Sequence, residues 1–273
     1  MGKAMRKAVG VAAVVTMTAS AASAAIKTQA LPYKDGQTQL EGFLAYDDSA
    51  KGPQPLVLVV HEWWGLNDYA KARAVQLAQM GYVAFAVDMY GQGVLAKDAK
   101  EAGELAGKLR SDRKLMRQRI IAGLNAVRGD PRVDPKRIAA IGYCFGGTVV
   151  LELARSGADI AGVVSFHGGL DTPDPSDAKN IKARVLAATG ADDKSVPTSQ
   201  IQAFEDEMRQ GKVDYQVLIY GGAVHAFTNP ASGDDPSKNV AYNAAADRRS
   251  WQAMKNFFAE IFKAAPPATA PAA

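Results

Sequence analysis

The chain has a single cysteine, Cys144, among its 273 residues, so no disulfide can form within it. Histidine is almost as scarce, with only His61, His167 and His225. No group of His and Asp has metal-ligand spacing, so neither a metal nor a cofactor is expected. The Gly-rich stretch Gly142–Gly147 lacks the Lys-Ser/Thr that completes a phosphate-binding loop, which excludes the common nucleotide-binding architecture. Beyond the N-terminus no apolar run approaches the roughly 20 residues that cross a bilayer. There is no internal repeat. Charge of one sign is also missing: a formal +4 falls to about +1 once residues 1–24 are set aside. Nucleic-acid binding therefore gains little support. The basic run Arg110–Arg119 is spaced as the solvated face of a helix.

Residues 1–24 read as a secretory signal peptide. Lys3, Arg6 and Lys7 form a positive head, Val9 to Met17 is apolar, and Ala22-Ser23-Ala24 supplies the small residues of a cleavage site. A periplasmic or secreted protein is the expectation. A free thiol in an exported chain then has two readings, a small buried hydrophobe or a nucleophile, and its position decides between them.

With 48% hydrophobic residues, the remainder suits one globular domain over residues 25–263. The tail 264–273 is too rich in Pro and Ala to join a core. Gln29–Asp47 alternates polar and apolar about Asp35-Gly36, predicting an antiparallel hairpin at a sheet edge. Leu56–Val60 is a continuous apolar run, as for a strand buried on both faces. A helix capped by Asp68 and ended by Gly81 is expected next, then a strand at Val83–Val87. Helices near 97–109 and 114–127 precede strands at 137–142, 161–166, 184–189 and 215–220. Further helices are expected from Gly146, over 198–210 and over 242–263. Such alternation predicts an α/β fold, a mostly parallel sheet with helices on both faces.

The chemistry concentrates where strands end. Ile138–Ile141 runs into Gly142-Tyr143-Cys144-Phe145-Gly146-Gly147 and then an apolar helix. This is the form of a nucleophile elbow with cysteine as nucleophile. The glycines are needed because side chains two positions either side of the sharp turn would collide, and the helix N-terminus favours a thiolate. Asp193, after one later strand, and His225, after the last, follow in the order nucleophile, acid, base. Asp192 competes for the acid role. His61 and His167 also end strands, without a suitable acid between them and the elbow.

Gly-Tyr-Cys-Phe-Gly-Gly, Gly-Ala-Asp-Asp-Lys-Ser-Val-Pro and the His-Ala-Phe loop resemble the dienelactone hydrolase (carboxymethylenebutenolidase) family of the α/β-hydrolases. The resemblance spans nearly the whole mature chain. It implies that Asp193 is the acid, leaving Asp192 to cap the turn. It implies that Glu62, in His61-Glu62-Trp63-Trp64, contacts the resting thiol and helps activate it. The backbone N–H groups of Trp63 and Phe145 would hold the oxyanion. Trp64, Tyr90, Gln92, Tyr143, Phe227 and Asn229 are the expected pocket residues, with all of Asp88–Gly93 near the site. Well-known members hold a substrate carboxylate with arginines where this chain has about Gln92 and Asn229, so a neutral ester or lactone is the expected substrate.

Together these readings predict a hydrolase of a small ester or lactone, working through Cys144, His225 and Asp193 and a covalent thioester. The expected partner is that small molecule, with no nucleic acid, no membrane once the signal is cleaved, and a monomeric or weakly dimeric state. Two other classes remain in view: a ligand-binding or thiol redox-responsive protein on the same fold, and a thioesterase or peptidase using the same residues.

Overall fold

The computed structural model describes residues 26–263, together with the first two residues of the chain. Residues 3–25, which hold nearly all of the expected signal peptide, and the C-terminal tail 264–273 lie outside the described residues. The hairpin comes first, β1 (Ile26–Asp35) and β2 (Thr38–Asp47), paired from Ile26↔Asp47 to Asp35↔Thr38. That register leaves a two-residue turn, and Gly36 opens it with a positive φ of 56°.

The rest alternates: β3 (Gln54–Val60), α1 (Asp68–Gln79), β4 (Val83–Val87), α2 (Ala99–Ser111), α3 (Arg113–Val127), β5 (Val133–Tyr143) and α4 (Phe145–Arg155). Then come β6 (Gly162–Phe166), β7 (Arg184–Gly190), α5 (Thr198–Gly211), β8 (Tyr215–Tyr220) and α6 (Ala244–Ile261). The eight strands lie in the order β1-β2-β4-β3-β5-β6-β7-β8. β2 meets β4 antiparallel, and every later pairing is parallel. Among the described residues no helix is long and apolar enough to cross a membrane.

The two-residue period of β3 divides the core. Leu56, Leu58 and Val60 pack with Met116, Ile120, Val149 and Phe204, from α3, α4 and α5. Val57 and Val59 face the other way, onto Leu77, Met254 and Phe258 of α1 and α6. Both faces are thus covered, which is why this strand has no polar residue between Leu56 and Val60.

Three local expectations need correction. Asn67 caps α1, accepting from the Ala70 N–H, and Asp68 is the first helical residue. Helix α4 opens at Phe145, with Cys144 in the capping position. The Arg110–Arg119 run is not a uniformly solvated face. Arg119 is buried, bonding Asp35 at 2.9 Å and the Met89 carbonyl at 3.0 Å. Arg117 bridges Glu152 and Asp177, and Arg113 pairs with Asp171. Helical spacing shows which residues share a face; it does not show which loops fold down onto that face.

Candidate active site

The elbow forms because the end of β5 is buried, α4 is buried on all sides, and the turn between them has no room for side chains. A Cβ on Gly142 would lie 1.9 Å from the Gly146 carbonyl oxygen, and one on Gly146 would lie 2.3 Å from that of Val60. Cys144 itself sits at φ 54° and ψ −114°, a conformation unfavourable to a side chain. Its N–H donates to the Phe166 carbonyl at 3.0 Å and to His167 Nδ1 at 3.1 Å. The strained turn is therefore pinned from the adjacent strand.

The structure brings together the three residues expected from chain order. Cys144 Sγ lies 3.1 Å from His225 Nε2, and His225 Nδ1 lies 2.8 Å from Asp193 Oδ2. The other oxygen of Asp193 accepts from the Ser195 N–H at 2.8 Å, so the carboxylate cannot swing away without losing both bonds. Asp193 therefore caps its own turn, and the capping expected of Asp192 is not found; Asp192 is exposed. Segment 239–241 clamps the two loops: Asn239 Oδ1 accepts from the Lys194 N–H, and its carbonyl accepts from the His225 N–H. Burial alone would weaken the hold of His225 on its second proton. The bonds to Asp193 and Cys144, and their negative charge, outweigh this and raise its pKa to about 10.

Glu62 is buried at the mouth of β3. Its Oε2 accepts from Asn229 Nδ2 at 2.7 Å, and Asn229 Oδ1 in turn accepts from the Ala231 N–H. Burial raises the Glu62 pKa, opposed in part by the Asn229 bond and the charges of His225 and Arg73. Neither the Trp63 N–H nor the Phe145 N–H donates to an acceptor among the described residues, which leaves both available to a bound group.

A cavity of about 940 Å³ opens over the thiol. Glu62, Trp63, Trp64, Cys144, His225 and Asn229 all line it. Four expected pocket residues do not. Tyr143 is fully buried on the far side of β5, stacked on Phe166, because neighbours along a strand face opposite ways. Phe227 is buried against His167. Tyr90 packs behind the site and donates to the Trp63 carbonyl at 3.0 Å. Gln92 is turned to Glu41 at the surface, at 2.9 Å. Asp88, rather than facing the site, ties down its own turn by accepting from the N–H groups of Tyr90 and Gly91.

Sequence reasoning missed Lys97, Arg110, Thr148 and Asp171 on the cavity wall. Arg110 lies over the Phe145 ring at 5.8 Å and forms no ion pair among the described residues. The expectation of a neutral substrate rested on the lack of arginine at positions 92 and 229. The cavity nevertheless carries cations, brought by α2 and the loop before it. Neither of the other two histidines lines the cavity. His61 donates from Nδ1 to the Glu62 carbonyl and accepts from the Met89 N–H, with burial pushing its pKa down to about 4.

A cysteine elbow, with acid and histidine at later strand ends of a mostly parallel sheet, defines an α/β-hydrolase. The model of the dienelactone hydrolase family matches residues 40–262. The chain belongs to that family, a family of ester and lactone hydrolases. Among solved structures, the protein m3DLH is 42% identical, with a TM-score of 0.84 over 87% of this chain and 99% of its own. A dienelactone hydrolase-like promiscuous phosphotriesterase from metagenomic libraries is 43% identical, also at 0.84, over 88% of this chain and all of its own. A Synechocystis protein with the provisional name carboxymethylenebutenolidase is 28% identical over 85% of this chain and 96% of its own.

Proposed function

We propose that the protein hydrolyses a small ester or lactone through Cys144, His225 and Asp193, by way of a thioester. The continuous contact from Sγ through the imidazole to a buried carboxylate, opening on the cavity, carries this reading. Cys144 attacks as thiolate beside the His225 imidazolium, which Asp193 orients. The oxyanion is held by the N–H groups of Trp63 and Phe145. As the intermediate collapses, the imidazolium protonates the departing alkoxide, which in a lactone stays tethered to the acyl group. The neutral imidazole then takes a proton from water, the hydroxide adds to the thioester, and collapse returns the thiolate and imidazolium. Glu62, held by Asn229 on the cavity wall, assists in activating the thiol. Export is part of the proposal: residues 1–24 are removed, and the enzyme works in the periplasm or outside the cell.

The test is turnover of short p-nitrophenyl esters, simple lactones and an aryl phosphotriester by the mature protein. Cys144→Ala, His225→Ala and alkylated protein are assayed beside it. Ester or lactone turnover lost in all three supports the reading. Stoichiometric labelling of Cys144 without turnover would instead indicate a binding or redox-responsive protein. The mass of the exported chain checks cleavage before Ala25.

A further inference from the structure

His167 and Thr228 have no part in the chemistry above, yet they join its two halves. His167 leaves β6 at a positive φ of 42°, which an ordinary side chain avoids, and is completely buried. Its Nδ1 accepts from the Cys144 N–H, so the proton of the neutral ring sits on Nε2, 2.7 Å from Thr228 Oγ1. Burial, with the nearby charges of His225 and Arg73, pushes the His167 pKa well down and keeps the ring in that neutral form. The ring also stands edge-on to His225, with centroids 5.3 Å apart.

Thr228 is buried between His225 and Asn229 in the histidine loop. Its hydroxyl shares a 2.7 Å hydrogen bond with the Tyr69 hydroxyl, and its carbonyl accepts from Arg73 Nη2 at 2.8 Å. Arg73 is anchored in turn on Asp247 at 2.6 Å. The loop carrying both His225 and the Asn229 that grips Glu62 is thus fastened to α1 and α6. Through a single imidazole it is also fastened to the backbone N–H of the nucleophile.

We propose that His167 and Thr228 are positioning residues that set the Sγ-to-Nε2 distance by tying the histidine loop to the elbow. This rests on the hydrolase reading above. Without the Thr228 hydroxyl the imidazole loses the acceptor for its Nε2 proton, and the loop moves independently of Cys144. Displacements of about 1 Å in such an arrangement cost on the order of 100-fold in rate.

The experiment compares Thr228→Val, which keeps the shape and removes the hydroxyl, with Thr228→Ser, which keeps the hydroxyl. Three quantities are read: kcat and KM on a p-nitrophenyl ester, the pH profile of Cys144 alkylation by iodoacetamide, and Tm. The expected result for Thr228→Val is a kcat lowered roughly 10- to 100-fold. KM should stay within about twofold and the alkylation profile should shift, with Thr228→Ser restoring most of both. If Thr228→Val lowers Tm alone, with kcat and alkylation profile those of the parent, the proposal is overturned. Should Thr228→Val not fold, His167→Asn takes its place. The asparagine oxygen can accept from the Cys144 N–H but cannot reach Thr228, so the same shifts are expected, and parental values would again overturn the proposal. Alkylation needs no turnover. A parent that hydrolyses nothing therefore refutes the hydrolase reading, while the profiles still decide the positioning role.

Discussion

The two ends of α4 handle buried charge in opposite ways. At its C-terminal end Arg155, among the most buried side chains in the molecule, bonds both oxygens of Glu207, Glu152 at 3.0 Å, and the Leu170 and Asp171 carbonyls. Glu152 is held from its other oxygen by Arg117. Every charge there has a fixed partner, and the cation suits the helix C-terminus. At the N-terminal end Cys144 sits in a strained conformation, shares one hydrogen bond with a half-buried imidazole, and faces an open cavity. One end holds the helix to α3 and α5. The other leaves a thiol and an imidazole in contact beneath open space, the pair that the proposed hydrolysis uses. The proposed chemistry needs the incomplete satisfaction that the anchoring end avoids.

The largest effect should come from Asp193→Asn, which leaves the shape of the reactive end intact and removes the charge that fixes the imidazole tautomer. We expect kcat on a p-nitrophenyl ester to fall about 10³- to 10⁴-fold, with the urea midpoint little changed. At the anchoring end Arg155→Met strands Glu207 without a cation. Urea unfolding should then show a loss of roughly 3–5 kcal/mol, while kcat per folded molecule stays within about threefold of the parent. A kcat that collapsed along with stability would show that the two ends are not separable.

A third expectation sharpens the comparison through protons. The folded state raises the His225 pKa from 6.5 to about 10, so between those values the native protein binds a proton that the unfolded chain has released. Stability from this group is complete below about pH 6.5 and is lost as the pH rises through about 10. Measured from pH 7 to 10, unfolding free energy should fall more steeply in the parent than in His225→Gln. Parallel slopes would mean that the imidazole holds its proton no more tightly in the folded protein than in the unfolded chain.

Much of this was legible in the sequence, for a physical reason. Cys144, Asp193 and His225 each follow a continuous apolar run, and parallel strands deliver such residues to one edge. The glycines around Cys144 mark a turn that the sterics confirm. What stayed hidden depends on direction and on distant elements. Tyr143 adjoins the nucleophile and points away from it, because proximity along a strand reverses the face. His167 looked unemployed for lack of an acid, since its partners are a backbone N–H and a threonine 61 positions on. Lys97 and Arg110 reach the cavity from α2 and its approach, where a run of ordinary surface residues gives no sign of what it overhangs.

Arg110 also supplies the smallest effect and the closest contrast to Arg155. Both are arginines near an end of a helix, but Arg155 has five hydrogen bonds and Arg110 has an aromatic face and open cavity. A cation with no carboxylate partner among the described residues, over the ring of Phe145, whose N–H is a proposed oxyanion donor, should favour a substrate that brings an anion. The matched pair is p-nitrophenyl butyrate and mono-p-nitrophenyl succinate, which share a leaving group and differ in a terminal carboxylate. Because Arg110 is exposed, the gain is limited to that of a screened ion pair. Arg110→Gln should raise KM for the succinate at most about fivefold, leave the butyrate unchanged, and lose its effect in high salt. Equal KM changes on the two esters would assign Arg110 to the packing of the cavity wall and leave the anchoring end of α4 as the only end where arginine acts by its charge.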